Sequence, residues 1–184
     1  MTNPTDLPGN LDWKPAAQAI DLLAPATAAA ITGLDAWVAP IDPDLADTAA
    51  FCEAYDVTMA ESSNCVVVEG RRGERTTRAA VMVLATDRAD VNKAIKKHLD
   101  VRKISFAAME TATSMSGMEY GGITPIGLPA DWPILVDDAV AAAGWLVIGS
   151  GIRGSKVAIR GTDLAKLPGV EVMALTIPAP PVAD

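Results

Sequence analysis

Gly117-Met118-Glu119-Tyr120-Gly121-Gly122-Ile123-Thr124-Pro125-Ile126-Gly127 sets four glycines and one proline around a single tyrosine. Such density predicts a backbone that turns where side chains would clash. It also lets a ligand lie directly against peptide N–H groups. The stretch has neither helical spacing nor strand alternation, so it reads as a shaped loop; a surface connector is the plainer alternative.

Outward from this loop, short elements alternate in type. Asn64 to Glu69 and Thr76 to Ala85 read as strands, joined by a hairpin turn at Arg71-Arg72-Gly73-Glu74. Asp90 to Leu99 has helical spacing, with Val91, Ile95 and Leu99 inward and Lys93, Lys96 and Lys97 outward. Lys103–Phe106 reads as a strand and Ala108–Ser116 as a helix. Strands follow near 134–136, 145–148 and 157–159, then a short helix near 163–167 and a last strand at 170–175. Upstream, Pro15 to Thr32 is Ala-rich and predicts one kinked helix or two short ones. Ala36–Ala39 is a candidate strand. Asp42-Pro43-Asp44 opens a helix, with Asp42 as its cap and Pro43 in its first position. Hairpins mixed with helices, without strict βα alternation, predict a mixed α/β or α+β domain around one sheet.

Size and composition narrow the class. The 184 residues suffice for one substantial core. Half are apolar but only 4% are aromatic, so Ala, Val, Ile and Leu must fill that core. No apolar run approaches the roughly 18 residues of a membrane span. Met1–Asn10 lacks the basic and apolar regions of a secretion signal. Cys52 and Cys65 have no metal-type spacing and are expected to be free buried thiols in a cytoplasmic protein. His98 is the only histidine, so no two-histidine metal site exists; neither metal nor cofactor is expected. The ends, 1–13 and 177–184, read as loose segments, the latter a Pro-rich tail.

Net charge is −8, yet the charges are segregated. Residues 1–63 hold ten acids and one base, Lys14; residues 71–103 hold ten of the fifteen Lys and Arg against four acids. One positive face could meet a phosphate backbone despite the overall sign; the alternative is an ordinary solvated surface.

Gly149-Ser150-Gly151-Ile152-Arg153-Gly154 has the spacing of a dinucleotide-binding turn. That turn needs a helix directly after it, whereas Ser155–Gly161 alternates like a strand. A Gly-rich turn between two strands, facing the same cavity as the first loop, is the better reading. Asp137 and Asp138 admit two readings, a catalytic pair or a helix cap before Ala139.

The order of these blocks resembles the YbaK-type aminoacyl-tRNA editing domain. The blocks are Asn64-Cys65-Val66-Val67-Val68, Leu99 to Ala107, the Gly117–Gly127 loop with its GxxxP element Gly121 to Pro125, Ile134-Leu135-Val136-Asp137, and Gly149 to Gly154. The resemblance spans about residues 45–175. It implies a single domain at 41–176 with a central mixed, partly barrel-like sheet flanked by helices. Residues 1–40 would be a partly helical N-terminal extension, and 177–184 a flexible tail. It further implies a freestanding deacylase that hydrolyses the ester of a mischarged tRNA carrying a small amino acid. tRNA would be its partner, with a synthetase or a second copy as further possible partners.

On that resemblance, Asn64, Gly121 and Gly122 occupy catalytic positions. Tyr120, Thr124, Pro125, Asp137, Gly149, Ser150, Gly151 and Arg153 occupy substrate-binding ones. Backbone N–H groups of Gly121 and Gly122 would stabilise the oxyanion, and the late turn would close the opposite wall. The family usually carries a lysine where Asn64 stands here. Asn64 donates and accepts hydrogen bonds but brings no charge. A binding module that has lost turnover is therefore the alternative function, and a strand-opening residue bonded to local backbone is the alternative role for Asn64.

Overall fold

A computed structural model describes residue 4 and residues 6–177. Its strands are β1 (Lys14–Pro15), β2 (Ala36–Pro40), β3 (Ser63–Arg72), β4 (Arg75–Leu84), β5 (Arg88–Ala89), β6 (Lys103–Phe106), β7 (Ile134–Asp137), β8 (Trp145–Gly149), β9 (Ser155–Arg160), β10 (Val170–Met173) and β11 (Thr176–Ile177). Its α-helices are α1 (Pro25–Ala30), α2 (Thr48–Tyr55), α3 (Lys96–His98), α4 (Met109–Ser116), α5 (Asp138–Ala142) and α6 (Gly161–Leu164). The mixed α+β class is as the sequence implies.

Instead of one sheet there are two larger ones and a two-stranded ribbon. The first runs β1-β2-β9-β8 and is antiparallel throughout. The second runs β10-β7-β4-β3-β6; β7 pairs in parallel with both β4 and β10, while β3 pairs antiparallel with β4 and β6. An isolated parallel bridge, Ser62 to Val147, brings the two sheets edge to edge. No closed barrel forms among the described residues, so the barrel-like expectation reduces to this one seam.

Strand alternation decides which face each residue covers. Leu146 and Ile148 of β8, with Val157 and Ile159 of β9, face Met82 of β4 and Val136 of β7 in the central core. Trp145, Val147 and Ala158 point the other way, onto Phe51 and Cys52 of α2. On the far side of the second sheet, Val68, Val81 and Leu135 pack against Val91, Ile95 and Leu99. Both faces of β9 are thus covered.

Several local expectations change. Residues 15–32 form two 3-10 turns (Ala16–Gln18, Ile20–Leu22) before α1, because Pro25 restarts the chain as a first helical residue. Asp42 does cap, accepting from the Asp44 amide at 2.9 Å, but the element it opens is a single 3-10 turn and α2 begins afresh at Thr48. The 90–99 segment is a π-turn, Val91–Ile95, leading into α3; its three apolar residues are inward as the spacing requires. Residues 6–13 are not loose: Trp13 is buried, its indole Nε1 donates to the Pro8 carbonyl at 2.9 Å, and Leu7 and Leu11 join the same cluster. The segment before residue 40 is built into the first sheet, β2 lying between β1 and β9. The Pro-rich tail lies outside the described residues except Ile177, which pairs with Arg88 in the ribbon.

The hairpin is tight. Gly73, with φ of 61°, supplies the left-handed turn between β3 and β4 that other residues adopt poorly. The four arginines of the hairpin are each paired with an acid. Arg71 and Arg78 both bond Glu69, at 3.1 and 2.9 Å, and Arg72 and Arg75 both reach Asp100. The hydrogen bond from Arg71, helped by Arg78, holds the Glu69 carboxyl below its ordinary range. His98 ends α3 and meets Glu171 at 3.1 Å.

Candidate active site

The 117–127 loop contains no helix or strand beyond Gly117, which caps α4 at φ 68°. The 149–154 segment is a turn between β8 and β9, as the alternation at 155–161 requires. The two are stitched together. The Glu119 amide donates to the Gly151 carbonyl at 2.9 Å, and the Gly151 amide donates to the Gly122 carbonyl at 2.7 Å. Backbone N–H of Arg153 donates to the Glu119 carboxylate at 2.6 Å. Instead of facing each other across a gap, the two segments form one continuous wall.

That wall lines a cavity of about 370 Å³. Tyr120, Gly121 and Ile123 come from the loop; Val147, Ile148 and Gly149 come from β8. Across from them stand Ser62, just before β3, with Ser63 to Val67 from its start, and Ala46, Asp47 and Thr48, at the start of α2. Phe106, Met109 and Tyr120 on its lining are each more than half exposed.

Close approach explains the glycines. A Cβ at Gly149 would press onto the carbonyl oxygens of Gly122 and Ile123, and one at Gly122 onto the Ile152 backbone. Gly121 holds φ of 79° with the Arg153 guanidinium against it. Arg153 straps the site: its guanidinium lies 3.5 Å from Asp47, donates to the Tyr120 carbonyl at 3.4 Å, and sits 6.0 Å from the Tyr120 ring centre.

Asn64, Gly121, Tyr120 and Gly149 therefore line one cavity. Gly122 does not: its amide is spent on the Glu119 carbonyl at 3.0 Å inside the loop turn, so it is no oxyanion donor. Ser150 is wholly buried, with its hydroxyl bonded to the Ile152 and Ser155 carbonyls, and holds the turn in shape. Gly151 is buried at φ 88° beneath α1, where a Cβ would strike Ala24. Thr124 is wholly buried behind the loop, and Pro125 lines a second, apolar hollow with Ile126 and Trp132.

Asp137 is also elsewhere. It is 3% exposed, its carboxylate accepting from the Ala139 amide at 3.0 Å and the Leu175 amide at 2.7 Å. The cap reading is the right one, and the same carboxylate anchors the chain before β11. Asp137→Ala strands two N–H groups without their acceptor. We expect denaturant unfolding to show a loss of about 2–4 kcal/mol.

Two contributors were not read from the sequence. Thr48 donates its hydroxyl to the Asn64 side-chain oxygen at 2.7 Å, and the Asn64 NH₂ has no hydrogen-bond partner among the described residues. Lys156, on β9, is 8% exposed and lines the cavity. Its ammonium donates to the Ala46 carbonyl at 2.8 Å and lies 5.2 Å from the Phe51 ring centre. Burial pulls its pKa down to about 8. Burial likewise pushes the Cys65 thiol up to about 12 and raises Cys52, so neither cysteine is an activated nucleophile. No cluster of metal-ligating side chains exists among the described residues. No helix among them is long and apolar enough to cross a membrane.

The model of the aminoacyl-tRNA editing domain matches residues 42–167, and the chain belongs to that family. Solved structures share the fold. A candidate trans-editing enzyme for prolyl tRNA synthetase superposes with a TM-score of 0.71 at 18% identity, over 85% of this chain and 99% of the other. A hypothetical protein superposes with a TM-score of 0.68 at 16% identity, over 76% of this chain and 90% of the other. A scaffold protein used for computational epitope grafting gives 0.71 at 17%, over 90% and 99%.

Proposed function

We propose that this protein is a cytoplasmic deacylase acting in trans on mischarged tRNA that carries a small amino acid. The observation that carries the reading is the cavity itself, with Asn64, Gly121 and Gly149 on one lining and a volume of about 370 Å³. That is near the lower end of ligand pockets, roughly 300–1,000 Å³, and suits one aminoacyl group. The exposed Phe106 and Tyr120 at its rim suit the terminal nucleotide. Of the basic block, Arg88, Lys93, Lys96, Lys97, Arg102 and Lys103 make no ion pair among the described residues and are the cations left for phosphates. The binding-only alternative rested on the lack of an ammonium at Asn64; Lys156 brings one to the same cavity, which favours hydrolysis.

Water adds to the ester carbonyl carbon, and the carbonyl electron pair moves onto its oxygen. Collapse re-forms the carbonyl and breaks the bond to the ribose oxygen, which takes up the proton that the added water gives up, giving free amino acid and uncharged tRNA. Asn64, fixed through Thr48, would orient the substrate with its free NH₂.

The test is single-turnover hydrolysis across a panel of aminoacyl-tRNAs. At least one tRNA mischarged with a small amino acid should be deacylated well above its spontaneous rate. Flat time courses throughout reject the proposal. In the same assay Asn64→Ala should slow the reaction tenfold or more, about 1.4 kcal/mol; an unchanged rate removes Asn64 from the site.

A further inference from the structure

Lysine is among the residues least often fully buried, and β9 is an interior strand with both faces covered. Lys156 nevertheless sits there. Its cross-strand partner is Gly149, and directly opposed residues project on the same face of a sheet. On that face the missing Cβ of Gly149 points at Gly122 and Ile123. The lysine stem therefore shares a face with the glycine wall, and the residue lines the cavity that Thr48 and Asn64 also line.

The ammonium is under-used by the protein. It has three N–H donors, one acceptor in Ala46, and one aromatic face in Phe51. It forms no ion pair among the described residues. The charged and titratable groups around it are Cys52 from α2, Asp47 at the head of α2, and Arg153 from the turn; the Asp47 carboxylate is engaged by Arg153. A buried positive charge left without a carboxylate is costly, and an anion forming in the adjoining cavity would relieve it.

We propose that Lys156 is a catalytic residue of the deacylation, its ammonium meeting the ester carbonyl oxygen as negative charge grows there. This rests on the deacylase reading and adds the source of the positive charge. Position 64 approaches the cavity from one sheet and carries no charge; position 156 approaches from the other and does. No proton need leave Lys156: it stabilises the oxyanion electrostatically, and the charge is neutralised when the carbonyl re-forms and the ribose oxygen departs.

A purely structural Lys156 would only hold the Ala46 carbonyl, and two variants separate the roles. Lys156→Gln keeps a hydrogen-bond donor without charge, and Lys156→Met keeps neither. Both should lower the saturating single-turnover rate constant at least 100-fold, with half-saturation moving less than threefold. The wild-type rate, corrected for spontaneous hydrolysis, should fall as pH rises through about 8, and the residual rate of Lys156→Gln should lack that limb. A Lys156→Gln rate within threefold of wild type, with the alkaline limb intact, overturns the assignment and leaves the deacylase reading standing. A wild type inactive on every aminoacyl-tRNA overturns both.

Discussion

Gly149→Ala is expected to cost the protein both stability and its reaction. The added Cβ would press onto the carbonyl oxygens of Gly122 and Ile123. Both are backbone atoms, and both belong to the loop that walls the cavity. No rotamer change relieves the overlap; the loop must move away from β8. Overpacking of this kind costs about 1–3 kcal/mol, and the upper end applies because the obstacle is main chain on two sides. For a chain of this size the thermal midpoint drops about 2–4 °C per kcal/mol, so a fall on the order of 6–12 °C should be seen by calorimetry. Displacing the wall also moves Gly121 and Tyr120, and a shift of about 1 Å at a reacting centre costs on the order of 100-fold in rate. Gly144→Ala is the control, since a Cβ there meets nothing within 4 Å. If Gly149→Ala melts and reacts like the wild type, the packing of the two segments has been misjudged.

The second large effect runs the other way: Lys156→Met should stabilise the protein. The Lys156 pKa is lowered from 10.5 to about 8 by burial. The sign follows from proton counting. Between pH 8 and 10.5 the unfolded chain keeps a proton that the folded chain has lost, so wild-type stability rises with pH across that window. Below pH 8 the full cost of the buried ammonium is present, about 3 kcal/mol for a shift of this size. Methionine removes that cost but leaves the Ala46 carbonyl without its donor, worth about 1 kcal/mol. A net gain of about 2 kcal/mol is expected at pH 7, turning into a loss of up to about 1 kcal/mol as pH approaches 10.5. Denaturant unfolding of both proteins at pH 7 and pH 10 measures it. A variant less stable than wild type by the same margin at both pH values would mean that the ammonium is well solvated or well paired. A group that lowers stability while facing a cavity fits a function that exacts stability.

These residues also show what can be read from sequence. The hairpin at Arg71–Glu74 was legible because Gly73 sits between two apolar runs, and its backbone conformation requires that residue. The dinucleotide-like turn was correctly set aside, because the alternation after Gly154 showed a strand where a helix was needed. The grouping of Asn64, Gly121 and Gly149 came from the order of the blocks. Lys156 was hidden by the same alternation that identified its strand: one lysine among apolar residues looks like a solvent-facing position. Only the pairing of β9 on both sides, and α2 laid across it, turns that position inward. Asp137 was misplaced for a related reason, since a carboxylate at a strand end looks alike whether it binds a substrate or two backbone amides. Gly122 lines no cavity because the turn consumes its amide, which spacing alone does not reveal. The 3-10 turns at 16–22 and the packed residues 6–13 depend on tertiary contacts through Trp13 and β2, which override local composition.

The most direct measurement is a structure of the complex with an aminoacyl-adenosine whose ester is replaced by a non-hydrolysable amide. The aminoacyl carbonyl oxygen should lie within hydrogen-bonding distance of the Lys156 ammonium, with Asn64 and Gly121 against the same group and the adenine beside Phe106 or Tyr120. Binding outside this cavity, or inside it with the carbonyl turned away from Lys156, would contradict the account.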